Sequence, residues 1–393
     1  MKSTQRARTQ LARAICRTLQ SYDLERQAAH SADSFLPKRA LRVCAVGKSA
    51  AAMAKGIESI REVEDGLVIV PREGGAVDLP RRWRIMRAAH PIPDLSSVAA
   101  GEALLAFVQQ STTPIAFLIS GGASSLACVP HSGTSLGEKK KLTRALLSCG
   151  ANIREINTVR KHLSAIKGGA LLRASCAPLY TICVSDVIGG SISEIGSGPS
   201  VVDTSTVADA RRIVTRYGLP EQPFRPTPSL HLRPRAKRIA SPETFVRYVA
   251  RELASLGRVS VQRSRIESLS EAVSRMKRIA RRLKVGEIVV YAAEPTVSLP
   301  RKVGSGGRSC HLAAVVARDL PAGVIVGAIA TDGQDGSSGL AGAVVDRSLA
   351  AHNAYDGAIA GFSTGDLHRQ AGTCIDIGPT GINFADVHLL MRV

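Results

Sequence analysis

Apolar positions in the first half of the chain recur in one unit: a β-branched run, a glycine turn, then a helix-forming stretch. Leu41–Val46 runs into Gly47-Lys48-Ser49 and the alanine-rich Ala50–Ile60. Gly66–Val70 reads as a short second strand, and Arg84–His90 as a third that ends at Pro91-Ile92-Pro93-Asp94. A helical stretch over Ser96–Gln110 leads to the strand Ile115–Ser120, the loop Gly121-Gly122-Ala123-Ser124-Ser125 and a helix from about Ser135. Leu179–Ser185 is a further buried strand. Strands alternating with helices predict βαβ units and a parallel sheet, so the fold class is α/β. Ligands of such sheets gather beyond the carboxyl ends of the strands, where Lys48, the Ser120 loop and Asp186 fall.

Before this pattern, Leu11, Ala14, Ile15, Leu19 and Leu24 keep helical spacing. Residues 1–22 carry Lys2, Arg6, Arg8, Arg13 and Arg17 with no acid, which is also transit-peptide composition, but the periodicity predicts a first structural helix. Prolines at 220, 223, 226, 228, 234 and 242 exclude a helix or central strand, so residues 219–242 read as a basic linker. Beyond it come a helix near Glu243–Leu256, a basic helix over Ser268–Lys284, and strands Glu287–Ala292 and Gly323–Ala330 that flank a glycine loop at 303–307. The chain thus divides into an N-terminal domain (1–218), the linker, and a smaller α/β domain (243–393), as a length of 393 residues also favours.

A net charge of +20 raises the question of nucleic acid. Residues 211–284 hold 19 Lys and Arg against five Glu, a net +14, and the rest of the chain is only mildly basic. The few aromatics in the segment, Tyr217, Phe224, Phe245 and Tyr248, do not alternate with the arginines as a row of stacking platforms, so it reads as a solvated basic face. No apolar run approaches the ~20 residues of a bilayer span. Eight cysteines without CxxC spacing read as reduced core thiols and point to a cytoplasmic compartment.

Candidate chemistry collects in five places. Gly47-Lys48-Ser49 lacks the first glycine of a P-loop, since Arg42 stands there, but a strand-to-helix turn beside a lysine suits an anion. Ser120, Gly121, Gly122 and Ser124 form a loop whose backbone and hydroxyls suit phosphate or carboxylate oxygens, and Ser124 is in no GxSxG elbow. From Asn157 to Gly169, a helical reading puts Arg160, Ser164 and Lys167 at i, i+4 and i+7 and Asn157 with Lys161 at i and i+4. Those cations repel unless an anion or distant carboxylates neutralise them. Gly306, Gly307 and Arg308 make a second anion-type loop. Asp186, Glu294 and Asp332 lie at strand ends, where carboxylates hold Mg²⁺ together with substrate phosphates. Together these groups resemble phosphoryl-transfer equipment.

The stretches Val46–Ala54, His90–Asp94, Ser120–Gly122, Asn157–Gly169, Ser185–Val187 with Gly196–Pro199, Glu294–Val297, Gly306–Arg308, Thr331–Gly333 and Gly378–Asn383 resemble, in this order, the class II glycerate kinase family, whose C-terminal part is the MOFRL domain. The resemblance implies a Rossmann-like N-terminal domain, a MOFRL-like C-terminal domain, and ATP- and Mg²⁺-dependent phosphorylation of D-glycerate at its 2-hydroxyl. It also implies that Lys48 and Arg308 are catalytic, with Gly47, Ser49, Ser120, Gly121, Gly122, Ser124, Asn157, Arg160, Lys161, Lys167, Gly306 and Gly307 about substrate and phosphate. Asp186, Glu294 and Asp332 remain candidates for metal ligand or proton acceptor. The chain departs from the family pattern at Gly190-Ser191, Ala292-Ala293, Ser309 and Gly339. The partners expected are ATP and a small hydroxy acid, with neither membrane nor nucleic acid, and a homodimer is left open. Two other readings stay open: a hydroxypyruvate reductase, for which no GxGxxG fingerprint follows Val46, and a degenerate kinase fold with a binding role.

Overall fold

The computed structural model describes residues 2–229, 233–299 and 303–393. Contacts divide the chain into two compact units. One holds Asp23–Ser185 and Gly190–Ala240, and the other the residues up to Tyr22, Asp186–Gly189 and Ser241–Val393.

In the N-terminal unit, β1 (Leu41–Val46), β2 (Val63–Pro71), β3 (Trp83–Ala88), β4 (Ile115–Ile119), β5 (Leu179–Val184) and β6 (Arg235–Ala240) form one sheet in the order β3-β2-β1-β4-β5-β6. Every neighbouring pair is parallel. This is the strand order of doubly wound nucleotide-binding sheets, with its topological switch point between β1 and β4. The central strands read as near-continuous apolar runs because helices cover both faces of a parallel sheet, and β4 is buried at all five positions. The edge strand β6 carries Arg235, Lys237 and Arg238, charges that discourage edge-to-edge pairing.

In the C-terminal unit, β7 (Arg258–Val261), β8 (Arg265–Ser268), β9 (Glu287–Thr296), β10 (Val324–Ala330), β11 (Gly342–Asp346), β12 (Cys374–Ile375) and β13 (Asp386–Arg392) form a mixed sheet. The order is β12-β11-β10-β13-β9-β7, with β8 also on β9. The pairs around β13 are antiparallel, whereas β7 and β8 run parallel to β9. Helices Leu269–Arg282 and Arg308–Ala317 close one face over Tyr291, Val326, Val345 and Leu390.

The units differ from the expected domains in three places, one of them Asp186–Gly189, which groups with the C-terminal unit. The N-terminal helix Lys2–Gln20 forms with Leu11, Ala14, Ile15 and Leu19 buried, but it stops short of Leu24, which opens a second helix, Leu24–Asp33, capped by Asp23. Its apolar stripe finds its partner on β10, β11 and helix Pro242–Glu252, so it joins the C-terminal unit. The stretch read as a linker is in part structural. Residues 230–232 lie outside the described residues, but β6 follows Pro234 as an edge strand, and Pro242 opens a helix at its first turn, where the missing N–H costs nothing. The cysteines form no disulfide among the described residues; Cys44, Cys128, Cys183 and Cys310 are buried, while Cys149 and Cys176 are exposed. Among the described residues no helix is long and apolar enough to cross a membrane.

Docking of the first helix is directly testable. Leu11 is fully buried, and Leu11→Ala is expected to cost about 2–5 kcal/mol, read as a lower urea midpoint by far-UV circular dichroism. A midpoint equal to wild type would mean the helix is undocked.

Candidate functional site

The turns after β1 and β4 are joined by main-chain bonds at the switch point. Ser120 N donates to Val46 O (3.0 Å), Lys48 N to Gly121 O (2.9 Å) and Ser49 N to Ser120 Oγ (3.0 Å). Gly47, at φ 135°, is required here: a Cβ would sit 2.8 Å from Ser120 O. The backbone of Lys48 is thereby fixed, while its side chain stands exposed among buried Gly47, Ser49 and Ser120. No hydrogen bond or ion pair occupies its ammonium among the described residues. Gly122, at φ 85°, passes close to it, since a Cβ there would lie 3.4 Å from Lys48 Cγ and 3.1 Å from His90 Cδ2. Burial, and then the charge of Lys48, lower the pKa of His90, so a neutral imidazole flanks the lysine.

The Asn157–Gly169 stretch departs from its helical reading. The helix Ile153–Lys161 ends with His162 as C-cap, so Ser164 and Lys167 lie beyond it in turns and share no helix face with Arg160. Asn157 and Lys167 still meet at Ser124 and the Gly196–Ser197 turn, but the stretch does not set its cations out on one face. Asn157 Oδ1 accepts from Ser197 Oγ (3.0 Å), which in turn bonds Ser124 Oγ (2.9 Å). Lys161 goes elsewhere, to an ion pair with Asp203 at 2.9 Å. Arg160 is half-buried, and burial lowers its pKa. Lys167 is buried, and its ammonium donates to Ser124 O and Gly196 O, both at 3.2 Å. It ties the Ser120 loop to the Gly196 turn from beneath rather than presenting its charge. Desolvation, with Lys139 the next contributor, lowers its pKa to about 7.

In the C-terminal unit the centre is Arg308, the first residue of its helix. Its Nε and Nη2 donate to the two oxygens of Asp386 at 2.7 and 2.9 Å, and Nη1 reaches Glu294 Oε1 at 3.4 Å. Asp386 is 1% exposed and also accepts from Ser309 Oγ at 3.2 Å. Burial pushes its pKa up to about 7 against the pull of Arg308. Burial opposes the charge of Arg308 too, yet Asp386 and then Glu294 hold its pKa above the ordinary value. The helix N-terminus is already filled: Asp335 accepts from Ser309 N (2.9 Å) and Cys310 N (2.7 Å). Gly306 and Gly307 are close-packing positions, because a Cβ would meet Phe362 O at 2.6 Å in the first case and overlap Asp335 in the second.

A cavity of about 720 Å³ opens over this centre, lined by Glu294, Arg308, His311, Asp332, Phe362 and Asp386 among others. The His311 ring lies flat on Phe362, with centroids 4.2 Å apart. Asp332 Oδ1 accepts from Gln334 N at 3.0 Å. Asp186 follows β5 and groups by contact with this unit. Among the described residues no group of three or more His, Cys, Asp or Glu is placed to hold a metal ion. Sequence reasoning missed Asp335, Asp386 and the role of His90. The signal for Asp386 is an acid opening the mostly apolar run Val387–Met391, broken only by His388.

Lys167 gives a pH signature. Its pKa falls from 10.5 to about 7 on folding, so the unfolded chain binds more protons between those values and stability rises with pH there. Below pH 7 both states are protonated and the burial cost is constant. Urea titrations are expected to show a shallower rise for Lys167→Met than for wild type, by up to about 1.4 kcal/mol per pH unit. Equal slopes would place the ammonium in solvent.

The sequence matches the family described as a domain of unknown function, DUF4147, over residues 6–227, and the MOFRL family over residues 287–386. The glycerate 2-kinase of Pyrococcus horikoshii is 34% identical over 87% of this chain and 84% of its own. A relative from Agrobacterium vitis, provisionally named a hydroxypyruvate reductase, is 34% identical over 91% of this chain and 89% of its own. The crystal structure of the glycerate kinase of Thermotoga maritima superposes over 100% of both chains with a TM-score of 0.89 and 27% identity. The parallel sheet with its lysine turn, the arginine held on a buried aspartate, and these relatives together place the chain in the class II glycerate kinase family.

Proposed function

We propose that the protein transfers the γ-phosphoryl group of ATP to the 2-hydroxyl of D-glycerate, or of a closely related small hydroxy acid, giving 2-phosphoglycerate and ADP. The observation that carries this reading is Lys48: an exposed ammonium with no partner among the described residues, on a backbone fixed at the sheet's switch point. Phosphoryl transfer needs little covalent chemistry from the protein beyond positioning and charge stabilisation. Lys48 supplies a mobile positive charge, and the nearby Ser120–Ser124 loop supplies hydroxyls and main-chain amides for oxyanions. Arg308 is the second catalytic cation. Its guanidinium is held by Asp386 on one edge, so it needs no reorganisation as charge develops. Asp386 is a positioning residue, and Ser309, at a departure from the family pattern, supports it through its hydroxyl.

Mg²⁺ keeps several waters and is held by one or two carboxylates plus substrate phosphates, not by an all-protein cage. Glu294 and Asp332 are both part-exposed on one cavity, and they fit a metal carried on ATP. Bound in that way, Mg²⁺ neutralises charge on the phosphates. Asp186, Glu294 and Asp332 also remain the candidates for accepting the hydroxyl proton. Hydroxypyruvate reduction has weaker support, because Gly47-Lys48-Ser49-Ala50-Ala51-Ala52 offers no dinucleotide fingerprint after β1.

Purified protein with ATP, Mg²⁺ and D-glycerate is expected to form 2-phosphoglycerate. No product where an authentic kinase turns over, together with NADH oxidation by hydroxypyruvate, would sink the reading. Lys48→Ala and Arg308→Ala are each expected to lower kcat by about 10²-fold or more with the fold retained. In the arginine variant Asp386 can take up a proton in place of its cation, as its raised pKa permits. Wild-type turnover in both variants would mean the phosphate site lies elsewhere.

A further inference from the structure

The function proposed above leaves most of the chain's charge unused, and part of it surrounds a cavity outside that site. β7 and β8 are two pieces of one edge strand, both parallel to β9. Val261 pairs with Val290 and Arg265 with Ala293, so four steps on the edge strand face three on β9. The extra residue makes a bulge, a device that re-aims side chains at a sheet edge. It brings Arg263 and Arg265 beside helix Leu269–Arg282, whose Arg275, Arg278 and Arg282 repeat at i, i+3 and i+7 on one face. These five arginines line a cavity of about 330 Å³.

The charges there are not balanced from within. Among the described residues, Arg263, Arg265, Arg278 and Arg282 make no side-chain hydrogen bond and no ion pair. Arg275 is 7% exposed, lies over the ring of fully buried Tyr291 at 3.9 Å, and gives its Nε–Nη2 edge to Glu267. Its buried Nη1, on the opposite edge, has no hydrogen-bond partner among the described residues. The acid on the cavity wall, Glu287, is already committed, to Arg258 and to Lys284 N (2.9 Å). Like charges converging on a concave surface repel, and a bound anion relieves that repulsion. Planar guanidinium forks suit the oxygens of phosphate and carboxylate groups.

We propose that the cavity bounded by Arg263, Arg265, Arg275, Arg278 and Arg282 is a binding site for a small polyanion, a compact molecule bearing two or more phosphate or carboxylate groups. A nucleic-acid strand fits less well, because the aromatic ring at the site is covered by Arg275 and no base can stack on it.

The test is isothermal titration of the full chain with pyrophosphate and, separately, citrate, at about 0.15 M ionic strength without Mg²⁺. Wild type is expected to bind at least one of the two, and that arm identifies the preferred oxyanion. The exposed-residue variant R278A/R282A, with an unchanged circular dichroism spectrum, is expected to bind at least about tenfold more weakly. Lys48→Ala is expected to remove only pyrophosphate bound at the kinase phosphate site and to keep the binding that R278A/R282A weakens, which separates the two sites. The proposal is overturned if neither probe binds, if R278A/R282A binds like wild type, or if Lys48→Ala alone abolishes binding. Duplex DNA retained through the same two arginines, and not displaced by either probe, would overturn it in favour of a nucleic-acid surface.

Discussion

A carboxylate buried on a central strand needs a cation, and Asp386 takes its cation from Arg308. Asp386 opens β13 between β9 and β10. An isolated carboxylate in that position would be neutralised or expelled, because desolvating an unpaired charge costs several kcal/mol. The bidentate guanidinium therefore fixes the start of helix Arg308–Ala317 to β13, and its remaining nitrogen joins Glu294 on β9. Asp335 does the same for the main chain by accepting the next two amides, which forces glycine at 307. A structural requirement of the sheet and the immobility wanted of the proposed catalytic cation thus coincide in one side chain.

The N-terminal unit solves its problem with the opposite division of labour. Lys48 has its main chain pinned and its ammonium left in solvent; Lys167 has its ammonium consumed by two carbonyls and thereby pins the main chain of others. Lys139 repeats the second pattern on Leu163 O at 3.2 Å, with its pKa lowered by burial. Buried ammonium groups paired only with carbonyls oppose stability at neutral pH. They are tolerated here where the turns they hold belong to the loop around the proposed phosphate site, in keeping with the rule that local strain gathers at functional positions.

What the sequence reveals follows from which faces are buried. β1, β4 and β5 were readable because a parallel sheet covered on both sides demands continuous apolar runs, and the turns at Gly47 and Ser120 were readable because glycine punctuates them. β6 lay hidden among prolines that an edge strand accepts and a central strand does not. Helix Ile153–Lys161 reads longer in the sequence than in the fold because its stop is marked only by the basic last turn of Arg160 and Lys161, a weaker signal than the glycines at 168 and 169. Asp386 was missed for a different reason. An acid at the mouth of an apolar strand looks like a turn residue until the partner 78 positions earlier is brought beside it, and no local pattern encodes that pairing.

The same limit explains why a net charge cannot be read as a function. The basic residues have different fates that composition merges into one number: Arg8 ties the first helix to Asp346, Lys161 is neutralised by Asp203, Lys167 is buried, Lys48 has no partner among the described residues, and Arg308 is held by two acids. Pairing, not proximity in sequence, decides which cations remain available to an anion. By that criterion the arginines of helix Leu269–Arg282 differ from an ordinary solvated face. A solvated face spreads its charges outward, whereas the bulge between β7 and β8 turns Arg263 and Arg265 toward Arg278 and Arg282 around one cavity. Convergence of unpaired cations costs free energy in the empty state, and a bound oxyanion is the component that offsets it.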